Sequence, residues 1–201
     1  MARHGTTAAN LEGRLQGVQE FPLCGQGKDE AWKLALRLKE IPFDGVYTSP
    51  LSRARETAEA VTRENLYLQD LTPECLSLLR EFSWGCIEGY TWQELMQEQP
   101  TFYQKLKSDF WGTPVSGRED STAFLQRVRG ALETLLSRRG SCGRALVITH
   151  GRFINAFLTF ALGLDTNGRW PFSPAPASLS ILKTFSNGKN RLHLFNDRCH
   201  L

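Results

Sequence analysis

Long apolar runs are missing from this chain. No stretch of its 201 residues approaches the ~18 consecutive apolar residues that a membrane-spanning helix needs. The first residues carry no basic segment followed by an apolar one, so neither a membrane partner nor a secretory leader is expected. Cysteine is sparse: Cys24, Cys75, Cys86, Cys142 and Cys199 are odd in number and scattered, with no Cys-x-x-Cys. That argues against a disulfide framework and against a structural zinc site. Histidine is scarcer still. His4, His150, His193 and His200 include no pair at the four-residue spacing of helical metal ligands, so no metal is expected. A charge excess is missing too. The 24 basic and 21 acidic residues leave +3, too little and too evenly spread to suggest a nucleic-acid partner. Linkers, low-complexity stretches and internal repeats are absent. What remains is a cytoplasmic globular protein whose thiols are reduced, with residues 1–201 expected to form a single domain.

The periodicities read as strands alternating with helices. Gly27–Ile41 is a helical pattern with Trp32, Ala35, Leu36 and Leu38 on its apolar side. Val46-Tyr47-Thr48 is a short β-rich run stopped at Pro50, and the helix formers of LSRARETAEAVTREN follow directly. RALVITHG is a buried-type strand, followed by the apolar helix RFINAFLTFALGL ending near Gly163. EDSTAFLQRVRGALETLLSRR is an amphipathic helix with Val128, Ala131, Leu132, Leu135 and Leu136 as its buried stripe. Near the C-terminus a hairpin is expected, turning at Asn187-Gly188. Thr113–Ser121 is the loosest segment and reads as a surface loop. The alternation predicts an α/β fold with a mainly parallel sheet, whose ligands gather past the carboxyl ends of its strands.

Two such ends carry chemistry. TSPLSRA places Arg53 in the first turn of a helix, and VITHGR places His150 beside the opening amides of the next. RHGTT adds Arg3, His4 and two hydroxyls. Arginines and a helix N-terminus around one crevice suit a dianion such as phosphate, which a guanidinium binds bidentately. A neutral histidine there is a candidate nucleophile toward phosphorus, and Glu81 or Glu88 a candidate proton donor to the leaving alcohol. Each residue alone also has a plain structural reading: a hydrogen-bonded histidine, a solvated arginine, a surface carboxylate.

Taken together, RHGTTAANLEGRLQG, PLCGQGKDEA, VYTSPLSRARETA, LREFSWGCIEGYTWQEL, EDSTAFLQRV, LVITHGRFI and the ending NDRCHL resemble the histidine phosphatase superfamily, the group that includes cofactor-dependent phosphoglycerate mutases. The resemblance implies a three-layer α/β/α sandwich of phosphoglycerate mutase type, with no cofactor. It implies that His4 is the nucleophile that becomes phosphohistidine, that Arg3, Arg53 and His150 surround the phosphoryl group, and that Glu81 is the general acid and base. Thr7, Asn10, Gln16, Gly17 and Gly151 match positions lining the phosphate or substrate pocket, and Glu88 matches a recurrent glutamate without an assigned role. His193 and His200 match no motif and are expected to be structural or exposed. The chain departs from the family pattern at SGRED, where PGGES is frequent and Glu119 would keep the carboxylate at the helix start. It departs again at Arg152 and Asn155, where a glycine and an arginine are common. Arg152 is expected to face solvent, with contact to a second anionic group as the alternative.

Only about forty residues separate Glu81 from Glu119, with no evident lid insertion, so the resemblance favours a hydrolase of small phosphorylated metabolites over a mutase. It leans toward α-ribazole-phosphate phosphatase, hence cobalamin biosynthesis, and toward broad-specificity types. The alternatives are phosphoglycerate mutase-type phosphoryl transfer and a non-catalytic phosphoester-binding protein on the same fold, and a homodimer is compatible with all of them. Trp84, Trp92, Phe102, Tyr103, Phe110 and Trp111 are expected either to wall an organic substrate or to pack the core. In related sequences Arg-His-Gly follows an apolar strand, whereas here Met1 and Ala2 alone precede it. The first strand is therefore expected to be very short, and upstream apolar residues to stabilise the fold and raise activity.

Overall fold

A computed structural model describes residues 1–68, 71–138, 143–164, 171–185 and 187–201; Cys142 lies outside them. In chain order the elements are β1 (Ala2–Arg3), α1 (Ala8–Leu11), α2 (Gly25–Leu38), β2 (Gly45–Thr48), α3 (Ser52–Glu64), β3 (Glu74–Cys75), α4 (Trp92–Glu98), α5 (Pro100–Ser108), α6 (Ser121–Arg138), β4 (Ala145–Thr149), α7 (Gly151–Ala161), β5 (Leu179–Thr184) and β6 (Asn190–Asp197). The sheet runs β3-β2-β4-β1-β5-β6. Its first four strands are parallel and the last two antiparallel.

Strand alternation divides the core. Val46, Leu146 and Ile148 join α2 and α3 on one face, while Tyr47 and Val147 join α6 and α7 on the other. This is the expected three-layer α/β/α arrangement with a short first strand. Among the described residues no helix is long and apolar enough to cross a membrane.

Several local expectations are corrected. On α2 the buried stripe is Gly27, Glu30, Ala31, Leu34, Ala35 and Leu38, whereas Trp32 and Leu36 are exposed. The close approach of α2 to α3, with Leu34 and Ala35 in one cluster with Ala54, Ala58 and Val61, favours small side chains over bulky ones. On α6, Phe124 takes the place expected of Leu136, which is exposed. Thr113–Ser121 is not loose. Arg118 donates to the carbonyls of Phe110, Thr113 and Trp111 at 2.8–3.0 Å. The carboxylate at the start of α6 is Asp120, accepting from the Ala123 amide at 2.9 Å. The interval after Glu81 holds the short helices α4 and α5.

β1 reaches only from Ala2 against Ile148 to Arg3 against Thr149, and meets β5 at Leu179. Upstream, among the described residues, Ala145–Val147 of β4 pair in the sheet with β2, and Ile181–Lys183 of β5 with β6, but not with each other or with β1. They flank a cavity of about 720 Å³ that also touches Met1. Met1 fills its end, exchanging two 2.8 Å backbone bonds with Ser180. Burial pulls the Met1 amine from 8.0 down to about 5. The amine is then neutral in the fold but protonated in the unfolded chain across that window, so falling pH there favours unfolding. Adding three or four alternating β-branched residues upstream of Met1 is expected to raise the melting temperature by about 4 °C or more, to raise turnover, and to flatten stability between pH 5 and 8. Thermal unfolding across that pH range checks this; an unchanged melting temperature would mean the slot does not accept a strand.

Candidate active site

The parallel strands β1, β2 and β4 end side by side, and each delivers a polar residue at its carboxyl end: His4, Ser49 and His150. The His4 amide donates to the Thr149 carbonyl at 2.9 Å, and the Ser49 amide to Ile148 at 3.1 Å. The imidazoles of His4 and His150 lie 5.1 Å apart between ring centroids, and both are buried.

His4 has a defined tautomer. Its Nδ1 lies 2.7 Å from the Gly5 carbonyl. A carbonyl can only accept, so Nδ1 carries the proton and Nε2 keeps its lone pair. Burial, then Arg3 and Arg53, hold the His4 pKa well below the usual 6.5. Burial, Arg53, His4, Arg3 and Arg127 do the same to His150. His150 Nε2 is 2.7 Å from Ser49 Oγ, which accepts the Leu51 amide at 3.3 Å. A Ser49 proton given to Nε2 leaves the His150 ring proton on Nδ1. That Nδ1, Arg3 Nε and Arg53 Nε are all buried without a hydrogen-bond partner. Buried orphan nitrogens on three residues electrostatically coupled to one histidine are the signature of an anion site.

Each guanidinium is anchored by carbonyls rather than neutralised by a paired carboxylate. Arg3 Nη1 donates to Pro174 at 2.9 Å. Arg53, fully buried, donates to Gln19 at 2.8 Å and to Gly17 at 2.7 Å; burial brings its pKa down to about 10. Glu88 explains why those carbonyls stay in place. Its carboxylate accepts from the amides of Val18, Gln19 and Trp84 and from the Ser83 hydroxyl at 2.9–3.1 Å. Gly17 has φ of +53°, and a Cβ there would overlap Glu88, so only glycine fits.

Glu81 lies at the first turn of α7. Oε1 accepts from Phe82 at 2.9 Å and Phe153 at 3.0 Å, and Oε2 from Arg152 at 3.1 Å. The opening amides of α7 expected beside the ligand are thus shared with Glu81. Arg127 bonds both oxygens of Glu119 at 2.9 and 2.7 Å and the carbonyls of Leu78, Arg80 and Glu81 at 2.7–3.2 Å, which pins the segment carrying Glu81.

A cavity of about 600 Å³ opens here, lined by Arg3, Glu81 and Gly151, by Trp84, Trp92, Phe110 and Trp111, and by Arg152 and Asn155. Arg152 is half-buried and, instead of pointing into open solvent, lines this cavity with its Cζ 4.2 Å from the Trp84 ring centroid. Of the five residues matched to the pocket, Gly151 alone is among those lining this cavity. Thr7 and Asn10 form a reciprocal cap on α1, Gln16 accepts from Thr7 at 2.9 Å, and Gly17 serves Arg53. Phe102 and Tyr103 pack against the core.

Residues 1–198 match the family model described as histidine phosphatase superfamily, branch 1. The chain belongs to this superfamily. Phosphoglycerate mutase-like protein 4 of Arabidopsis thaliana is 29% identical over all of this chain and 85% of its own length. Phosphoserine phosphatase 1 of Hydrogenobacter thermophilus is 28% identical over 100% and 92%. The crystal structure of the α-ribazole phosphatase from Shigella flexneri superposes with a TM-score of 0.86 at 26% identity, covering 97% of this chain and 94% of that one. With phosphatases among its relatives over full length, this histidine phosphatase superfamily member is a phosphatase enzyme.

Several supports of this histidine phosphatase site escape motif reading. Glu30 is buried on α2 and accepts from the Thr6 amide and hydroxyl at 2.8 and 3.0 Å; a carboxylate within a small-residue helical stripe was the signal for it. Thr57 accepts the Gly5 amide at 3.1 Å. Ser49 lies within TSPLSRA, and Arg127 lies on α6, whose sequence signal is its apolar stripe.

The two buried neutral histidines make stability depend on pH. Their folded pKa values lie below 6.5, so the unfolded chain binds more protons and stability falls as pH drops below that value. Each contributes about 1.4 kcal/mol per pH unit within the window. Because the unfolded imidazole is only partly protonated near 6.5, replacing His4→Asn is expected to reduce the change in urea-unfolding free energy between pH 6.5 and 5.5 by about 1 kcal/mol; an unchanged slope would mean that folded His4 takes up the proton as readily as the unfolded chain.

Proposed function

We propose that this protein is a metal-independent phosphomonoesterase acting through a phosphohistidine on His4. The observation that carries the reading is the neutral His4 imidazole, protonated on Nδ1 against Gly5 and surrounded by the orphan nitrogens of Arg3, Arg53 and His150. His4 Nε2 attacks phosphorus while the bond to the alcohol oxygen breaks, and Glu81 gives that oxygen its proton. Arg3, Arg53 and His150 donate to the phosphoryl oxygens, where charge concentrates. Water then gives a proton to the Glu81 carboxylate and its oxygen attacks phosphorus. The P–N bond breaks, releasing phosphate and neutral His4. The positive charge comes from guanidinium groups, and among the described residues no cluster of His, Cys, Asp or Glu could hold a metal ion.

The α-ribazole phosphatase of Shigella flexneri and the aromatic wall of the cavity support a small organic phosphomonoester as substrate, α-ribazole 5′-phosphate first. Mutase-type transfer is the second reading, supported by the Arabidopsis relative.

In metal-chelated buffer, wild type is expected to hydrolyse para-nitrophenyl phosphate and His4→Ala to lose at least about a thousandfold in kcat. Glu81→Gln is expected to slow alkyl phosphates more than this activated ester, and to accumulate acid-labile phosphohistidine where the second step becomes limiting. Equal turnover by His4→Ala removes the mechanism, and phosphoglycerate mutase activity exceeding hydrolysis replaces it with the second reading.

A further inference from the structure

The cavity has more room and more positive charge than phosphoryl transfer needs. About 600 Å³ is the size of sites that enclose a whole organic ligand. Among the described residues, two guanidinium groups line it against one carboxylate, Glu81. Arg3 belongs to the His4 cluster, where its charge acts on the His4 imidazole. Arg152 stands apart, Cζ lying 4.2 Å from the Trp84 ring centroid, 5.3 Å from Phe82 and 5.7 Å from Phe110. Arg118 is held nearby by three carbonyls. Burial, opposed by Glu81 and reinforced by Arg118, brings Arg152 down to about 10, so it stays charged at neutral pH. Aromatic faces fix the plane of a guanidinium, and Arg152 lines the cavity, so an oxyanion bound there meets its charge.

We propose that Arg152 is a specificity-determining residue, binding a second anionic group on the organic part of a phosphomonoester whose transferable phosphoryl group lies at His4. This rests on the phosphatase reading above but not on its first-named substrate, since α-ribazole 5′-phosphate has no second anionic group; it narrows the substrate class to doubly anionic phosphoesters, with a carboxylate or a second phosphate. Such an anion answers the unequal charge of the wall, and charge-assisted fork pairing gives it direction as well as energy. The geometry needs no change in the chemistry at His4.

Near-isosteric probes test it: 4-carboxyphenyl phosphate against 4-carbamoylphenyl phosphate, with 1,4-phenylene bisphosphate as a second anionic arm. Wild type is expected to prefer at least one charged probe by about tenfold or more in kcat/KM, mainly through KM. The arm preferred tells carboxylate from phosphate. Arg152→Met is expected to bring the ratio near unity, Arg152→Lys to keep part of it, and Arg152→Glu to invert it, each variant checked for its fold by circular dichroism. A role in packing alone would lower both probes equally and would overturn the proposal. So would a wild type that hydrolyses the carbamoyl ester without preferring either charged probe, although the phosphatase reading would then stand. Wild type inert toward every probe brings down both, whereas a fully active His4→Ala strikes at the mechanism alone.

Discussion

A buried imidazole kept neutral among uncompensated guanidinium groups is the constraint on which the rest of this structure depends. Burial and the charges of Arg3 and Arg53 both disfavour protonated His4, and the Gly5 carbonyl decides which nitrogen holds the remaining proton. The same arrangement leaves positive charge unbalanced in a low-dielectric interior, which is unfavourable until an anion arrives. Orphan nitrogens on Arg3, Arg53 and His150 mark where the compensation is missing.

Much of the surrounding chain can be understood as scaffolding for that imbalance. Carboxylates that could have neutralised the arginines directly act on backbone instead. Glu88 holds the loop whose carbonyls at Gly17 and Gln19 grip Arg53. Glu30 ties the Thr6 amide and hydroxyl to α2. Glu119 does pair with an arginine, but with Arg127, which lies outside the anion site and clamps the carbonyls around Glu81. Carbonyl dipoles orient a guanidinium without cancelling its charge, so the site stays attractive to phosphate. Close backbone contact belongs to the same design. A Cβ on Gly5 would overlap the Gly27 carbonyl, and one on Gly27 the Thr6 carbonyl, so the loop after β1 lies directly on the start of α2.

Strand ends, helix starts and the ordered motifs were legible because they are local. Val46–Thr48 followed at once by a helix, RALVITHG followed by RFINAFL, and Asn187-Gly188 between apolar runs carry their conformations in adjacent residues. The apolar stripe of α2 was misread because bulky Trp32 and Leu36 outweighed Ala31 and Gly27 in a reading by hydrophobicity. Contact with α3 selects for smallness as well as apolarity, and that partner is not visible in the helix itself. Thr113–Ser121 looked loose because composition cannot reveal that Arg118 would find three carbonyls.

Sequence alone determined the α/β class and the family, and it singled out Arg3, His4, Arg53, Glu81 and His150 as candidates, since those rest on residue type, order and spacing along one chain. Tertiary structure decided the rest: the proton position on His4, the purpose of Glu88, the placing of half-buried Arg152 over Trp84, and the seating of the first strand between β4 and β5. Each of these depends on groups tens of residues apart meeting in a dry interior. There a lone pair, a charge or an open strand edge is assigned by its neighbours, and neighbours across a fold are not written in local pattern.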